Sequence, residues 1–96
     1  MIEIRKTDQF ANWLDNLRDI QAKARVLVRI ERLATGNAGD VKPVGEGVSE
    51  MRINYGPGYR VYYTMRGKTL TILLAGGDKR SQVTDIKTAL RLARSL

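Results

Sequence analysis

The chain of 96 residues contains no cysteine and no histidine. It therefore has no disulfide, no thiolate nucleophile, no imidazole to act as a general base near neutral pH, and none of the usual nitrogen and sulfur ligands for zinc. A metal site would have to be built from oxygen alone, and the ten acidic residues are too scattered to suggest one. Proline is scarce, with Pro43 and Pro57 alone, and aromatic residues make up 6%. No apolar run approaches the roughly 20 residues that span a bilayer. The opening Met1-Ile2-Glu3-Ile4-Arg5-Lys6 lacks the charged-then-apolar order of a secretion signal. The expectation is a cytoplasmic chain with no membrane partner, and the missing cysteine suits a reducing compartment.

What is present fits one small domain over residues 1–96, with 43% hydrophobic content to supply its core. The formal charge of +7 is unevenly placed. Lys/Arg and Asp/Glu cancel over residues 1–50, whereas residues 51–96 carry only Asp78 and Asp85 against their many cations. The whole excess lies in the second half, which suits either a solubilising surface or a partner that is a polyanion or a strongly acidic protein.

Ile2 and Ile4 alternate with Glu3 and Arg5, the period of a strand. Thr7 or Asp8 can cap a helix in which Phe10, Trp13, Leu14 and Leu17 form one apolar stripe. Asp19 can cap a second helix, antiparallel to the first, with Ile20, Ala24, Leu27, Ile30 and Ala34 along its inner face and Gly36 after its end. Four glycines and Pro43 between Gly36 and Gly47 read as a loop. The pattern then switches to period two. Met51, Ile53 and Tyr55 alternate with polar residues, as do Tyr59, Val61, Tyr63 and Met65, and Leu70 to Ala75 is nearly all apolar, as in an inner strand covered on both faces. A final helix has Val83, Ile86, Leu90 and Ala93 on one face and Lys87, Arg91 and Arg94 on another. The order is β-αα-βββ-α, an α+β fold: an antiparallel sheet on an N-terminal helical hairpin, with the C-terminal helix on the other face.

Opposite residues in an antiparallel pair share a face, so a register can be tested against the apolar pattern. A three-residue loop at 56–58 opposes Arg52 to Tyr62, Asn54 to Arg60 and Ile53 to Val61. A two-residue turn at Arg66-Gly67 then opposes Tyr63 to Leu70, Val61 to Ile72 and Arg60 to Leu73. One face becomes wholly apolar for the hairpin. The other carries Arg52, Asn54, Arg60, Tyr62 and Thr71, with Leu73 and Ala75 needing the last helix as cover.

In this register the Gly76-Gly77-Asp78-Lys79-Arg80 turn emerges beside Arg60 and Arg52, so several cations converge on a groove floored by Tyr62. Guanidinium groups give bidentate, permanently charged hydrogen bonds to phosphate, and an exposed aromatic ring can stack on a base. Cleavage of RNA by a 2′-hydroxyl needs a proton acceptor, charge stabilisation on the phosphoryl oxygens and help for the leaving 5′-oxygen. Arginine and lysine meet the second need and suit the third. Without histidine the acceptor has to be Asp78, Glu50, a tyrosine or a perturbed lysine. The same residues also suit a bland reading, in which Arg52 and Arg60 are solvated sheet residues and Gly76-Gly77 is merely a turn.

Gly58-Tyr59-Arg60-Val61-Tyr62-Tyr63, then a second glycine turn, an apolar strand and Gly76-Gly77-Asp78-Lys79-Arg80-Ser81-Gln82, with Asp85-Ile86 and Ala89 beyond, resembles the RelE/ParE toxin superfamily. Within it the chain is most similar to the HigB-like addiction module killer proteins, over nearly its whole length. The resemblance implies the toxin of a type II toxin–antitoxin pair, neutralised by a cognate antitoxin of helix-turn-helix type. For RelE-like members it implies cleavage of mRNA on the ribosome without metal or cofactor. It assigns phosphate neutralisation to Arg52 and Arg60 and leaving-group stabilisation or protonation to Lys79, and it leaves the general base unassigned, with Asp78 a candidate from the residues alone. Tyr62, Arg80, Lys87 and Arg91 are the expected RNA-binding residues. The functional tyrosine that RelE-like nucleases carry after the basic turn is missing, for Thr84-Asp85 stand there and no aromatic residue follows Tyr63. ParE-like members share the fold but bind DNA gyrase without nuclease chemistry, which is the alternative activity.

Overall fold

The computed structural model describes residues 2–96. Strand β1 (Glu3–Lys6) leads into helix α1 (Asp8–Asp15) and helix α2 (Ile20–Ala34). Strands β2 (Val41–Gly45), β3 (Val48–Ile53), β4 (Tyr59–Arg66) and β5 (Leu70–Gly77) follow, then a 3₁₀ turn (Lys79–Ser81) and helix α3 (Gln82–Arg94). The expected α+β architecture is present, with the hairpin on one face of the sheet and α3 on the other. No helix of the described residues is long and apolar enough to cross a membrane.

The helices begin where short polar side chains offer an acceptor. Thr7 Oγ1 accepts from the Phe10 amide at 3.1 Å, and Asp19 Oδ1 accepts from the amides of Gln21 and Ala22 at 2.9 and 3.2 Å. Each satisfies backbone donors that a first turn leaves without an intrahelical partner.

The sheet has five strands in the order β1-β5-β4-β3-β2. β1 runs parallel to β5, with Glu3 opposite Leu70 and Lys6 opposite Leu73, and the other pairs are antiparallel. β2 lies inside the stretch that reads as a loop in the sequence. It is an edge strand with a register irregularity between Pro43 and Gly45, and an edge is where a sheet tolerates proline.

Both expected registers are corrected. In the β3–β4 hairpin Arg52 faces Arg60 and Glu50 faces Tyr62, because the connecting loop covers 54–58 instead of 56–58. The slip is by two residues, so each side chain keeps its face. Between β4 and β5 the turn lengthens and a bulge intervenes, with Tyr62 opposite Ala75 but Tyr63 opposite Leu73. The longer turn shifts residues 70–73 by three and so changes their face, and the bulge at Leu74 returns Ala75 to its expected side. Leu73 joins Phe10, Met51, Val61 and Tyr63 in the core under the hairpin, whereas Ile72 and Leu74 turn toward α3 with Tyr62 and Ala89.

The helix faces also differ from expectation. α2 buries Ala22, Val26 and Leu33, while Ile20 is 83% exposed. Its rotation is fixed by Arg29, whose guanidinium donates to the carbonyls of Arg52 and Ala38 at 2.6 and 3.0 Å. On α3 the fully buried residue is Ala89, and Val83 at the start of the expected stripe is exposed.

A candidate anion pocket on the open end of the sheet

α3 covers the middle of its sheet face and leaves open the end where β3 finishes and β4 begins. There Arg52 and Arg60, opposite each other in the ladder, line a pocket of about 410 Å³ together with Asp40, Asn54, Tyr59 and Lys79. The sequence-predicted trio of Arg52, Arg60 and Lys79 is thus brought together. Two like charges directly across a strand pair are destabilising, and each arginine has its own acid. Arg52 Nη2 lies 2.9 Å from Asp40 Oδ1 on the exposed side. Arg60 Nε lies 3.4 Å from Oε2 of Glu50, whose side chain is 1% exposed. The Nε atoms of both arginines are buried without a hydrogen-bond acceptor.

The two loops that frame the pocket hold each other. Arg60 Nη1 donates to the Gly58 carbonyl at 2.9 Å, and the Lys79 amide donates to the Pro57 carbonyl at 3.4 Å. Gly76 and Gly77 are required by space. A methyl group at Gly76 would enter the Trp13 ring, and one at Gly77 would collide with the Asp85 carboxylate. The glycine pair lets α1 and the start of α3 close on the end of β5, and this fixes where Lys79 emerges.

Asp78 caps the 3₁₀ turn, accepting from the Arg80 amide at 2.8 Å and pairing with the Arg80 guanidinium at 3.0 Å. These bonds, the guanidinium first, hold its carboxyl below the usual aspartate range. Arg80 is correspondingly engaged, with an exposed side chain that does not line the pocket. Asp85 behaves in the opposite way. Burial raises its pKa, partly offset by a hydrogen bond from the Ser81 hydroxyl.

Tyr62 does not floor the groove. It is fully buried beneath α3, with its hydroxyl donating to Glu50 Oε2 at 2.9 Å. Burial foremost, then that hydrogen bond, pushes its pKa strongly upward, so it stays a protonated donor. The expectation of an exposed stacking ring failed because α3 packs on this stretch of β4. Tyr59, half-buried and in contact with Trp13 and Tyr55, is the aromatic residue that lines the pocket. Lys87 and Arg91 are exposed on α3 and do not line the pocket. Sequence reasoning missed Asp40 and Tyr59 as pocket residues. Asp40 sits just before β2, the strand hidden in the glycine-rich segment.

The arrangement defines a small α+β domain with an arginine pocket at an open sheet end, and its fold is that of RelE. The free form of the Escherichia coli toxin RelE, solved as a variant with two arginines replaced by alanine, matches with a TM-score of 0.72. The match covers 94% of this chain and 95% of that chain at 13% identity, so it concerns the fold. The chain belongs to the phage-derived protein Gp49-like family (DUF891), whose model matches residues 12–96. An uncharacterized protein of Haemophilus influenzae is 48% identical over 95 residues, covering 99% of this chain and 96% of that protein.

Proposed function

We propose that the chain is the toxin of a type II toxin–antitoxin pair, of the HigB-like kind, and a metal-independent endoribonuclease that cuts mRNA on the ribosome. One observation carries the reading: Arg52 faces Arg60 across the ladder, at the wall of an open pocket that Lys79 shares. Fold-making alone gives no reason to place two cations opposite each other. Both arginines line the open pocket, and a phosphodiester supplies oxygens of the matching charge and spacing for guanidinium groups. Family membership and the RelE fold support the toxin assignment, as does the basic second half of the sequence.

In this reading the 2′-hydroxyl of the RNA gives up its proton to water and attacks phosphorus. The bond to the 5′-oxygen breaks, leaving a cyclic phosphate and a free 5′-hydroxyl. Arg52 and Arg60 stabilise the charge that develops on the phosphoryl oxygens. Lys79 approaches from the neighbouring turn and stabilises or protonates the leaving oxygen. Tyr62 is not the proton acceptor, because its pKa is raised. Asp78 is a weak one, because Arg80 holds its carboxyl down. The chain's own contribution is charge stabilisation and positioning.

The test is brief induction in cells followed by primer-extension mapping of transcript 5′ ends. New ends inside translated frames, absent with Arg60→Ala, are the expected result. Intact transcripts with double-strand DNA breaks would replace the nuclease reading with a gyrase-directed toxin. Growth arrest by Arg60→Ala and Lys79→Ala equal to that of the parent would remove the pocket as the active site.

A further inference from the structure

Helix α2 carries a second apolar stripe that the fold leaves uncovered. Ile20 is 83% and Val28 45% exposed, and Ala24 between them is exposed as well. At i, i+4 and i+8 the three share one line on the helix surface. Beside that line runs a groove of about 420 Å³, with Ala24, Arg25, Val28 and Arg32 on one wall and Ile53 and Asn54 on the other. A further hollow of about 300 Å³ at Val28, Glu31, Arg32 and Thr35 extends it along the helix. α2 has 15 residues, and a helix of that length measures about 22 Å. The apolar strip itself runs from Ile20 to Val28, about 12 Å, and with its charged rim it fits a second helix laid alongside, the small Ala24 permitting close approach.

The rim specifies the charge of the occupant. Arg25, Arg29 and Arg32 line the groove and Glu31 alone its extension, so an acidic flank is favoured and a basic one repelled. An RNA strand is less well served. Arg29 spends its guanidinium on the carbonyls of Arg52, Ala38 and Asp40, and the Arg25 guanidinium lies 4.6 Å over the Tyr55 ring. Successive phosphates would each need a cation, whereas a helix needs the apolar strip and one or two contacts at the rim. We propose that the groove along α2 is the docking site for an acidic amphipathic helix of a partner protein. Ile53 and Asn54 line both this groove and the arginine pocket, so the docked helix reaches the rim of the pocket without touching Arg60. Its identification as part of an antitoxin rests on the function proposed above; the docking does not.

A displayed library of helical peptides, each about 16 residues long to match α2, is selected against the full chain. Enriched peptides are then titrated by isothermal calorimetry. The expected winners carry Asp or Glu beside an apolar stripe, and Val28→Asp and Arg32→Glu each weaken them at least about tenfold. Circular dichroism and melting curves like those of the parent show that both variants fold. Absence of enrichment, enrichment of peptides that are not acidic, or unchanged binding to both variants overturns the proposal. An oligouridylate is titrated in parallel. If it displaces the peptides and is weakened by Arg32→Glu but not by Val28→Asp, the groove is an RNA track and the proposal falls. Growth arrest and transcript cleavage are scored separately, so failure of the nuclease reading and failure of the docking site are told apart.

Discussion

Arg60 reaches the pocket with its Nε 3.4 Å from Oε2 of Glu50, a carboxylate sealed beneath α3. The same oxygen accepts from the Tyr62 hydroxyl and from Gln82 Nε2, each at 2.9 Å. A buried charge persists only when paired and hydrogen-bonded. Here β3, β4 and the first residue of α3 each contribute a group to that end, and the network sets the angle at which Arg60 enters the pocket.

The first prediction concerns this network. Glu50→Ala removes the counter-charge from Arg60 and leaves the Tyr62 hydroxyl and the Gln82 amide without an acceptor, a change expected to cost about 3–5 kcal/mol. Tyr62→Phe removes one donor and keeps the ring, and about 1–3 kcal/mol is expected. Urea denaturation of the three proteins checks the order. A Glu50→Ala loss below that of Tyr62→Phe would mean that the carboxylate is not the hub.

The second prediction concerns the glycine pair. Gly76→Ala places a methyl group in the Trp13 ring, and overpacking of this kind costs about 1–3 kcal/mol. The double variant Gly76→Ala/Trp13→Leu should recover part of the loss, because contacting residues couple. Additive losses in thermal melts would show that the ring is not what occupies the space.

These two sites also show how much was legible in the sequence. The convergence of Arg52, Arg60 and Lys79 could be read because period two puts Arg52 and Arg60 on one face, and a slip of two residues preserves that face. What could not be read was the bulge at Tyr62 and Tyr63, which depends on packing on both sides of β5 and leaves no local pattern. Tyr62 lies on its expected face but is buried instead of forming an exposed platform, because the sequence does not show how far α3 extends over β4. The hidden strand β2 has its own cause, since glycines and Pro43 suppress the alternation that marks a strand, and an edge position tolerates both. On α2 the apolar residues surround much of the helix, so periodicity chose the stripe of Ile20 and Ala24, while Arg29 and its carbonyl partners fix the opposite rotation.

The third prediction separates charge from geometry in the pocket. Arg60→Lys keeps a positive charge but loses the planar fork, so it cannot hold two phosphoryl oxygens as the guanidinium does. Transcript cleavage in a translation reaction should fall by at least about 100-fold for Arg60→Ala, with Arg60→Lys retaining an intermediate rate. Equal rates for Arg60→Lys and the parent would reduce the residue to a point charge.

The last prediction is a pH dependence with two opposed acids. Asp78 has a folded pKa depressed below 3.8 by Arg80. Its contribution to stability is thus fully present above the unfolded value and is lost as pH falls through the folded one. Asp85 has a folded pKa raised above 3.8 by burial, so its ionised form costs stability at neutral pH and the cost disappears as pH falls through that value. Asp78→Asn keeps a capping side chain and forfeits the charge pair. It should be less stable than the parent at pH 7, with the difference closing as the pH drops below 3.8. Asp85→Asn should be at least as stable as the parent at pH 7, and its advantage should shrink on acidification. Urea midpoints from pH 7 down to about 3 bracket the ordinary aspartate range. Parallel curves for both variants would show that neither carboxyl changes its proton affinity on folding.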